Sequence, residues 1–350
     1  MSPASTNIVL EIRAASESAG SDSIAAENCA EPLALTPSDE SHAEPAPGMS
    51  AGQAFTVIAM ACLRQLTTYE AGTIKREPEA LHQMRVAMRR LRAAISLFGE
   101  VVSDDQVAAI KTELKWLGRE LAPARDLDSL LIEVIKPLRK QRADIPGFAS
   151  VARIFERERL KSYRQVQAAV QSQRFRSLVA DTTAWIGGGP WTRSNDAQHA
   201  ARRDGPIETL AAEQLSRRRK KIRRRGREIA SLDAERLHAL RIQVKKARYA
   251  VEFFSSLYRG KKSERRKEKF HAALRQLQGS LGGFNDIAMR KTLCEAILTR
   301  PGRNLTEAQN RQRAFAAGLI IGDQHAQVEQ LLGRSLKAYA RFDDVKPFWT

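Results

Sequence analysis

The segment LHQMRVAMRRLRAAISLF at residues 81–98 recurs without a gap as LHALRIQVKKARYAVEFF at residues 237–254. A second pair follows in the same order, LKWLGRELAPARDLD from Leu114 and LRQLQGSLGGFNDIA from Leu274. Two matched segments at nearly equal spacing predict an internal repeat of about 156–160 residues. The repeat in turn predicts two similar helical bundles related by a pseudo-twofold axis.

Apolar residues recur at three- and four-residue spacing beyond residue 50, and the alternating pattern of strands is nearly absent. The sequence therefore predicts an all-α fold with halves at 51–186 and 207–350, joined by a linker at 187–206 that glycine and proline flank. Helices are predicted near 51–70, 80–99, 105–122, 126–142, 149–186, 207–230, 234–259, 263–282, 286–299 and 305–342. The pair Gly282–Gly283 is expected to end one of them.

The repeated helix carries an apolar face and, beside it, a stripe of one histidine and three cations. The apolar face holds Leu81, Met84, Met88, Leu91 and Ile95. The stripes are His82, Arg85, Arg89 and Arg92 in the first copy, and His238, Arg241, Lys245 and Arg248 in the second. Cations at this spacing repel one another, and no acid lies within either stripe. The pattern favours a row of phosphate ligands over a solvated charged face, because Arg matches phosphate geometry bidentately.

The two histidines allow a structural and a functional interpretation. His82 and His238 begin their stripes near helix N-termini, where a packed or capping role is common. The alternative is donation of a ring N–H to a phosphate oxygen, and a bound polyanion would then favour the imidazolium form. Neither histidine has a partner at metal-ligand spacing, so no metal is expected.

Charge is distributed unevenly between the N-terminus and the rest of the chain. The whole chain has 58 Lys and Arg against 40 Asp and Glu, a net charge of +18. Residues 1–50 hold eight of those acids and one base, in a composition that predicts a disordered tail. The strongly basic remainder indicates a polyanionic partner. The tail is either a solubilising leader or a segment that folds back and competes with the ligand.

Cysteine usage and hydropathy bear on the compartment. Three cysteines without CxxC spacing argue against a disulfide scaffold or a zinc ribbon and favour a reducing cytosol. No apolar run approaches the roughly 18–20 residues of a membrane span, and no secretory signal pattern is visible. We therefore expect a cytoplasmic protein with no membrane partner and no cofactor.

The paired motifs at 81–98 and 237–254, with LKWLGRELAPARDLD after the first, resemble the CHAD family of conserved-histidine α-helical domains. The resemblance covers about residues 51–350 and includes the ending FDDVKPFW. It implies two antiparallel four-helix bundles with pseudo-twofold symmetry and a basic groove or pore between them. It further implies that the groove binds inorganic polyphosphate and that the protein associates with polyphosphate granules.

The resemblance also assigns ligand roles to particular residues. Besides the eight stripe residues, it assigns them to Arg90 and Lys246 on the same helices and to Lys115 and Arg275 on the following ones. We expect Lys220 and Arg224, from the basic run at 217–227, to extend the groove together with Lys221. A role for Arg125 would not be symmetric, because its counterpart is Asn285.

Other chemistries are weaker candidates. Asp126 and Asp128 could bind Mg²⁺, although aspartates at a predicted helix start more often cap it. The family is often fused to a triphosphate-processing domain with an ExExK strand, but residues 77–81 read only ExExL, so we expect no triphosphatase activity. A hydrolase or kinase acting on polyphosphate would need a carboxylate cluster for metal, whereas the stripes are cationic.

Nucleic-acid binding is the main alternative function. Proteins that bind single strands usually provide aromatic side chains on which bases stack. The stripes offer only Tyr249 nearby, and Ala93 replaces it in the first copy. The sequence therefore predicts non-enzymatic binding of polyphosphate, with non-specific binding of RNA or DNA as the alternative.

Overall fold

The computed structural model describes residues 44–141, 145, 147–298, 306–325 and 328–350. Over these residues every regular element is helical, and the β pairing is limited to an isolated bridge between Ser50 and Pro206. The prediction of an all-α fold is confirmed.

The first half forms α1 (Ala51–Thr68), α2 (Glu70–Ile74), α3 (Pro78–Leu97), α4 (Val107–Leu130), α5 (Lys136–Gln141), α6 (Phe148–Val170), α7 (Gln173–Gly188) and α8 (Ala197–Asp204). The second half forms α9 (Ile207–Gly226), α10 (Ala234–Phe254), α11 (Lys261–Leu298), α12 (Glu307–His325) and α13 (Val328–Asp344). A π-helical turn at Leu131–Ile135 joins α4 to α5. The repeated segments form α3 and α10.

The fold begins earlier than the predicted boundary of the tail. Ser50 caps α1, because its Oγ accepts from the backbone N–H of Gln53 at 3.2 Å while the Gln53 side chain accepts from the N–H of Ser50 at 2.9 Å. The N–H of Ile207 donates to the carbonyl of Met49 at 3.0 Å. Residues 44–50 are thus part of the folded body, which corrects the predicted tail at 1–50, and residues 1–43 lie outside the described residues.

Helix α4 runs through the predicted break between 122 and 126. Pro123 lies inside it, although proline in a helix interior costs about 3 kcal/mol. The flanking Leu121 and Ala124 are both fully buried, and their burial holds the helix together across the proline. Asp126 and Asp128 are therefore in mid-helix, and the prediction that they cap a helix is wrong.

Two other predicted helix ends are also wrong. Helix α11 continues through Gly282–Gly283, because Gly283 serves close packing: a Cβ there would lie 2.6 Å from Cδ2 of Leu331 on α13. Conversely, the helix predicted over 149–186 is divided into α6 and α7. Ser172 caps the second part, its Oγ accepting from the N–H of Phe175 at 3.1 Å.

The predicted linker at 187–206 is an ordered part of the first half. It contains a 3₁₀ turn at Pro190–Arg193 and the whole of α8. Trp191 is 2% exposed, and its ring lies 5.4 Å from that of Phe55 on α1. The indole N–H of Trp191 donates to the carbonyl of Trp185 at 2.9 Å. Burial of this indole outweighs the local preference of the glycines for a loop.

One hydrophobic core includes helices from both halves. The predicted apolar face of α3 is confirmed, since its five members are at most 3% exposed. Helix α3 packs against α10, and the rings of Phe98 and Phe254 meet there at 5.8 Å. These phenylalanines occupy equivalent positions of the two repeated segments. Contact between equivalent residues is expected near a twofold axis, although the duplication itself stays a prediction.

A second apolar cluster lies at the other end of α4 and α11. It joins Leu130 and Leu131 of the first half to Cys294 and Ile320 of the second. Helix α6 packs there against α12. The two halves therefore pack against each other at both ends of these helices. Arg125 on α4 and Asp286 on α11 lie between the two clusters.

Candidate functional site

The cationic stripes lie on α3 and α10, the two helices that pack against each other across the halves. Arg85 is 2% exposed and Arg241, at the equivalent position, is 1% exposed. The remaining stripe cations are half-buried. A solvated charged face would leave these side chains in water, so the burial excludes that interpretation of the stripes.

His82 is buried and bonded to a cation of the neighbouring helix. Nε of Arg125 on α4 donates to Nδ1 of His82 at 3.0 Å. Because a guanidinium only donates, Nδ1 must accept, and the ring carries its proton on Nε2. This tautomer suits donation from Nε2 to a phosphate oxygen, and the imidazolium form expected with a bound polyanion stays a prediction. Arg125 has no arginine counterpart in the second half, so this contact is specific to the first.

Arg90 was predicted as a ligand, but the structure gives it a structural contact. Its Nη1 lies 2.7 Å from Oε1 of Glu252 on α10. The guanidinium also lies 5.8 Å from the ring centroid of Phe253. Burial lowers the pKa of Arg90 and Glu252 raises it, with a net increase. The residue therefore links α3 to α10, and this pairing disfavours its predicted ligand role, whereas its counterpart Lys246 is exposed.

The basic run at 217–227 divides into two faces of α9. Arg219 donates from Nη2 to the carbonyls of Asp343 and Val345, and Arg223 forms an ion pair with the Asp343 carboxylate. This face fastens α9 to α13. The predicted Lys220 and Arg224 are exposed, and neither belongs to those contacts.

The other face of α9 approaches the exposed Lys246 of α10. Burial, then Arg217, Arg218 and Lys246 lower the pKa of Lys221. Burial and Arg217 also lower the pKa of Arg218 to about 10. These neighbouring cations make the potential at the predicted Lys221 positive, although Arg217 also lies 3.7 Å from Glu100.

His271 lies on α11 beside predicted ligands and was not itself predicted from the sequence. Its Nε2 lies 3.1 Å from Oγ of Ser255. Burial, then Arg275, Lys267 and Arg248 lower its pKa to about 4. The corresponding position of the first half is Lys111, so the repeat gave no signal for this histidine. Arg275 itself and Lys115, the predicted ligands on the helices after the stripes, are exposed.

The lowered pKa of His271 makes stability depend on pH in a defined direction. The unfolded chain binds this proton below about pH 6.5, whereas the folded chain binds it only below about 4. The free energy of unfolding should therefore decrease as pH falls through that window, by about 1–3 kcal/mol after allowance for solvent screening. Urea denaturation at pH 7 and 4.5 measures it. His271→Gln should lose this part of the pH dependence, and an unchanged profile would contradict the assignment.

Asp128 is a structural acceptor between α4 and α6. It is 1% exposed and accepts from Nε of Arg159 at 2.6 Å and from the hydroxyl of Tyr163 at 2.5 Å. Arg159 also stacks over the Tyr163 ring at 4.8 Å. These contacts use both carboxylate oxygens, so the geometry does not favour a Mg²⁺ ligand. Over the described residues, no group of three or more His, Cys, Asp or Glu is arranged to hold a metal.

The family model that matches this chain is the CHAD domain, over residues 57–295, which is more than half of the chain. The chain belongs to the CHAD family. Among curated proteins, no sequence matches this CHAD protein.

Two solved structures are similar to this CHAD protein. The crystal structure of the CHAD domain from the plant Ricinus communis has a TM-score of 0.68 and 26% identity, and the match covers 85% of this chain and 94% of that one. PptA from Streptomyces chartreusis has a TM-score of 0.57 and 17% identity, with 83% and 99% covered. The second likeness shows the fold alone.

Within the described ranges, no helix of this CHAD protein combines the length and the apolar character needed to cross a bilayer.

Proposed function

We propose that this protein binds inorganic polyphosphate, without hydrolysing it, along the stripes of α3 and α10. The observation that carries the proposal is the pair Arg85 and Arg241, equivalent cations that are 2% and 1% exposed on helices in mutual contact. The buried pair fixes the two stripes at matched positions, and the half-buried Arg89, Arg92, Lys245 and Arg248 leave the same stripes accessible. A phosphate chain that passes both stripes would meet these cations.

The proposed ligand set follows from the stripes and from the exposed cations around them. It comprises His82, Arg85, Arg89, Arg92, His238, Arg241, Lys245 and Arg248, with Lys115, Lys220, Arg224, Lys246 and Arg275 at the periphery. The positive face of α9 with Lys221 supports an extension of the site beyond α10. Arginine contributes paired donors to phosphate oxygens, and lysine contributes a point charge.

The aromatic residue nearest to the stripes favours a ligand without bases. Tyr249 is 7% exposed, its ring stacks on that of Phe253, and the Arg248 guanidinium lies 5.1 Å from its centroid. It is thus occupied by packing and offers no open face on which a base could stack. This arrangement supports polyphosphate over single-stranded RNA as the preferred ligand. We extend the proposal to a location at polyphosphate granules in the cytoplasm.

Binding of three polyanions tests the proposal. Long-chain polyphosphate, single-stranded RNA and duplex DNA are titrated at matched phosphate concentration and at two salt concentrations. We expect polyphosphate to bind tightest, with a log–log salt slope of roughly −0.7 per phosphate neutralised, by analogy with single-stranded nucleic acids. RNA binding of equal strength would overturn the choice of ligand. Orthophosphate release during incubation with polyphosphate and Mg²⁺ would overturn the non-enzymatic assignment.

A further inference from the structure

We propose that the acidic N-terminal segment of this chain docks on a cluster in which the cations Arg248, Lys267 and Arg275 surround His271, and that it competes there with phosphate. The docking stands on the structure of the folded body and on the sequence of the segment. Only the competition rests on the proposed function.

The cluster is assembled around Ser255, the residue that follows α10. Nζ of Lys267 donates to the Ser255 carbonyl at 3.4 Å, and Nε2 of His271 lies 3.1 Å from the Ser255 Oγ. Arg275 and Arg248 are close enough to lower the pKa of His271, and Glu264 forms an ion pair with Lys267 at 2.8 Å. All three cations lower the pKa of His271, although Glu264 faces Lys267, so the potential at this ring is positive.

The acidic segment leaves the folded body beside this cluster. The hydroxyl of Ser256 donates to the carbonyl of Pro45 at 2.9 Å, and Ser256 adjoins Ser255 in the chain. The N–H of Gly48 donates to Oε1 of Glu208 at 2.7 Å, which holds the strap formed by residues 45–50 against the second half. The C-terminal end of the acidic segment is therefore held next to Ser255, the residue around which the cluster is assembled.

The acidic segment also has the charge and the length needed to reach the cluster. The segment before Pro45 has one base, Arg13, and its acids are Glu11, Glu17, Asp22, Glu27, Glu31, Asp39, Glu40 and Glu44. At about 3.3–3.6 Å per extended residue, Asp39 and Glu40 lie within about 16–22 Å of Pro45 along the chain. Tethering gives them a high effective concentration at the cluster. Because Arg248 and Arg275 are also proposed phosphate ligands, an acidic segment docked here would occupy part of the phosphate site.

The docking is tested on the full-length protein in the absence of polyphosphate, through the fluorescence anisotropy of a dye on the acidic segment. Cys62 and Cys294 are buried, with pKa values raised to about 11 and about 12 by burial, so a maleimide dye is directed to Cys29. We expect the dye's anisotropy to fall as salt rises and to be lower in Lys267→Ala/Arg275→Ala at low salt. The control Arg139→Ala/Arg153→Ala removes two exposed cations elsewhere. An anisotropy that neither salt nor the cluster variant changes would overturn the docking.

The competition is tested by a full-length variant in which the seven acids from Glu11 to Glu40 become amides. We expect polyphosphate to bind this variant about three- to tenfold tighter at low salt, with the difference lost near 0.5 M salt because the Debye length shrinks. Equal affinity would overturn the competition and leave the docking result standing. Absence of polyphosphate binding by both proteins would instead refute the proposed function.

Discussion

Replacement of both Arg85 and Arg241 by alanine should weaken polyphosphate binding by about two to four orders of magnitude at low salt. A hydrogen bond to a charged group contributes about 1.5–3 kcal/mol, and the double variant loses at least one such contact in each half. Isothermal titration calorimetry or fluorescence titration with long-chain polyphosphate measures the dissociation constant. The salt slope should also become shallower, since fewer phosphates are neutralised.

Matched variants separate the loss of ligand contacts from a loss of charge or fold. Arg139→Ala/Arg153→Ala removes the same charge at exposed residues that line a cavity of about 610 Å³ beside the second apolar cluster, and should change affinity less than threefold. If removal of buried arginines unfolds the protein, Arg89→Ala/Lys245→Ala removes the half-buried cations at the next equivalent positions. Unchanged affinity in a folded stripe variant contradicts the proposed site.

Replacement of Asp128 by alanine should lower the free energy of unfolding by about 3–5 kcal/mol. The substitution leaves the Arg159 guanidinium without the carboxylate 2.6 Å away, and leaves the fully buried Tyr163 hydroxyl without an acceptor. Removing one member of a buried ion pair has a cost of this order. Urea denaturation followed by circular dichroism measures it.

Glu156 provides the control for Asp128, because it faces the same arginine from the surface. Its carboxylate is 48% exposed and lies 3.9 Å from Nη1 of Arg159. An exposed pair contributes at most about 1 kcal/mol, so Glu156→Ala should be nearly neutral. If Asp128→Ala is as mild as Glu156→Ala, the contact between α4 and α6 does not stabilise the fold as argued here.

The features that could be predicted from the sequence were those that follow from the helical spacing of apolar residues or from the repeated segments. The apolar face of α3 follows from helical spacing, and its members Leu81, Met84 and Leu91 are all fully buried. The equal burial of Arg85 and Arg241 follows from their equivalent places in the repeat. Local pattern and the sequence repeat thus indicated both the apolar core of α3 and the matched pair of buried arginines.

The features that sequence missed depend on partners distant in the chain. Gly283 reads as a helix end until Leu331 is seen packed against it, 48 positions later. Asp128 reads as a cap because Arg159 and Tyr163 belong to another helix. Arg90 resembles a ligand in the sequence because its ion-pair partner Glu252 is not part of the repeated pattern. The equivalent residue of the first copy is Ser96. In each case a long-range contact outweighs the local propensity.

The burial of Trp191 has a consequence for dissecting the protein. A fragment cut after α7 would lose this indole, which would uncover the part of the Phe55 ring against which it packs and leave the Trp185 carbonyl without the indole N–H. The boundary with the best prospect of a soluble half therefore falls after Asp204, not at the triple glycine. Even there, the hydrogen bond from the N–H of Ile207 to the carbonyl of Met49 would be lost, so each piece would keep one backbone group without its partner.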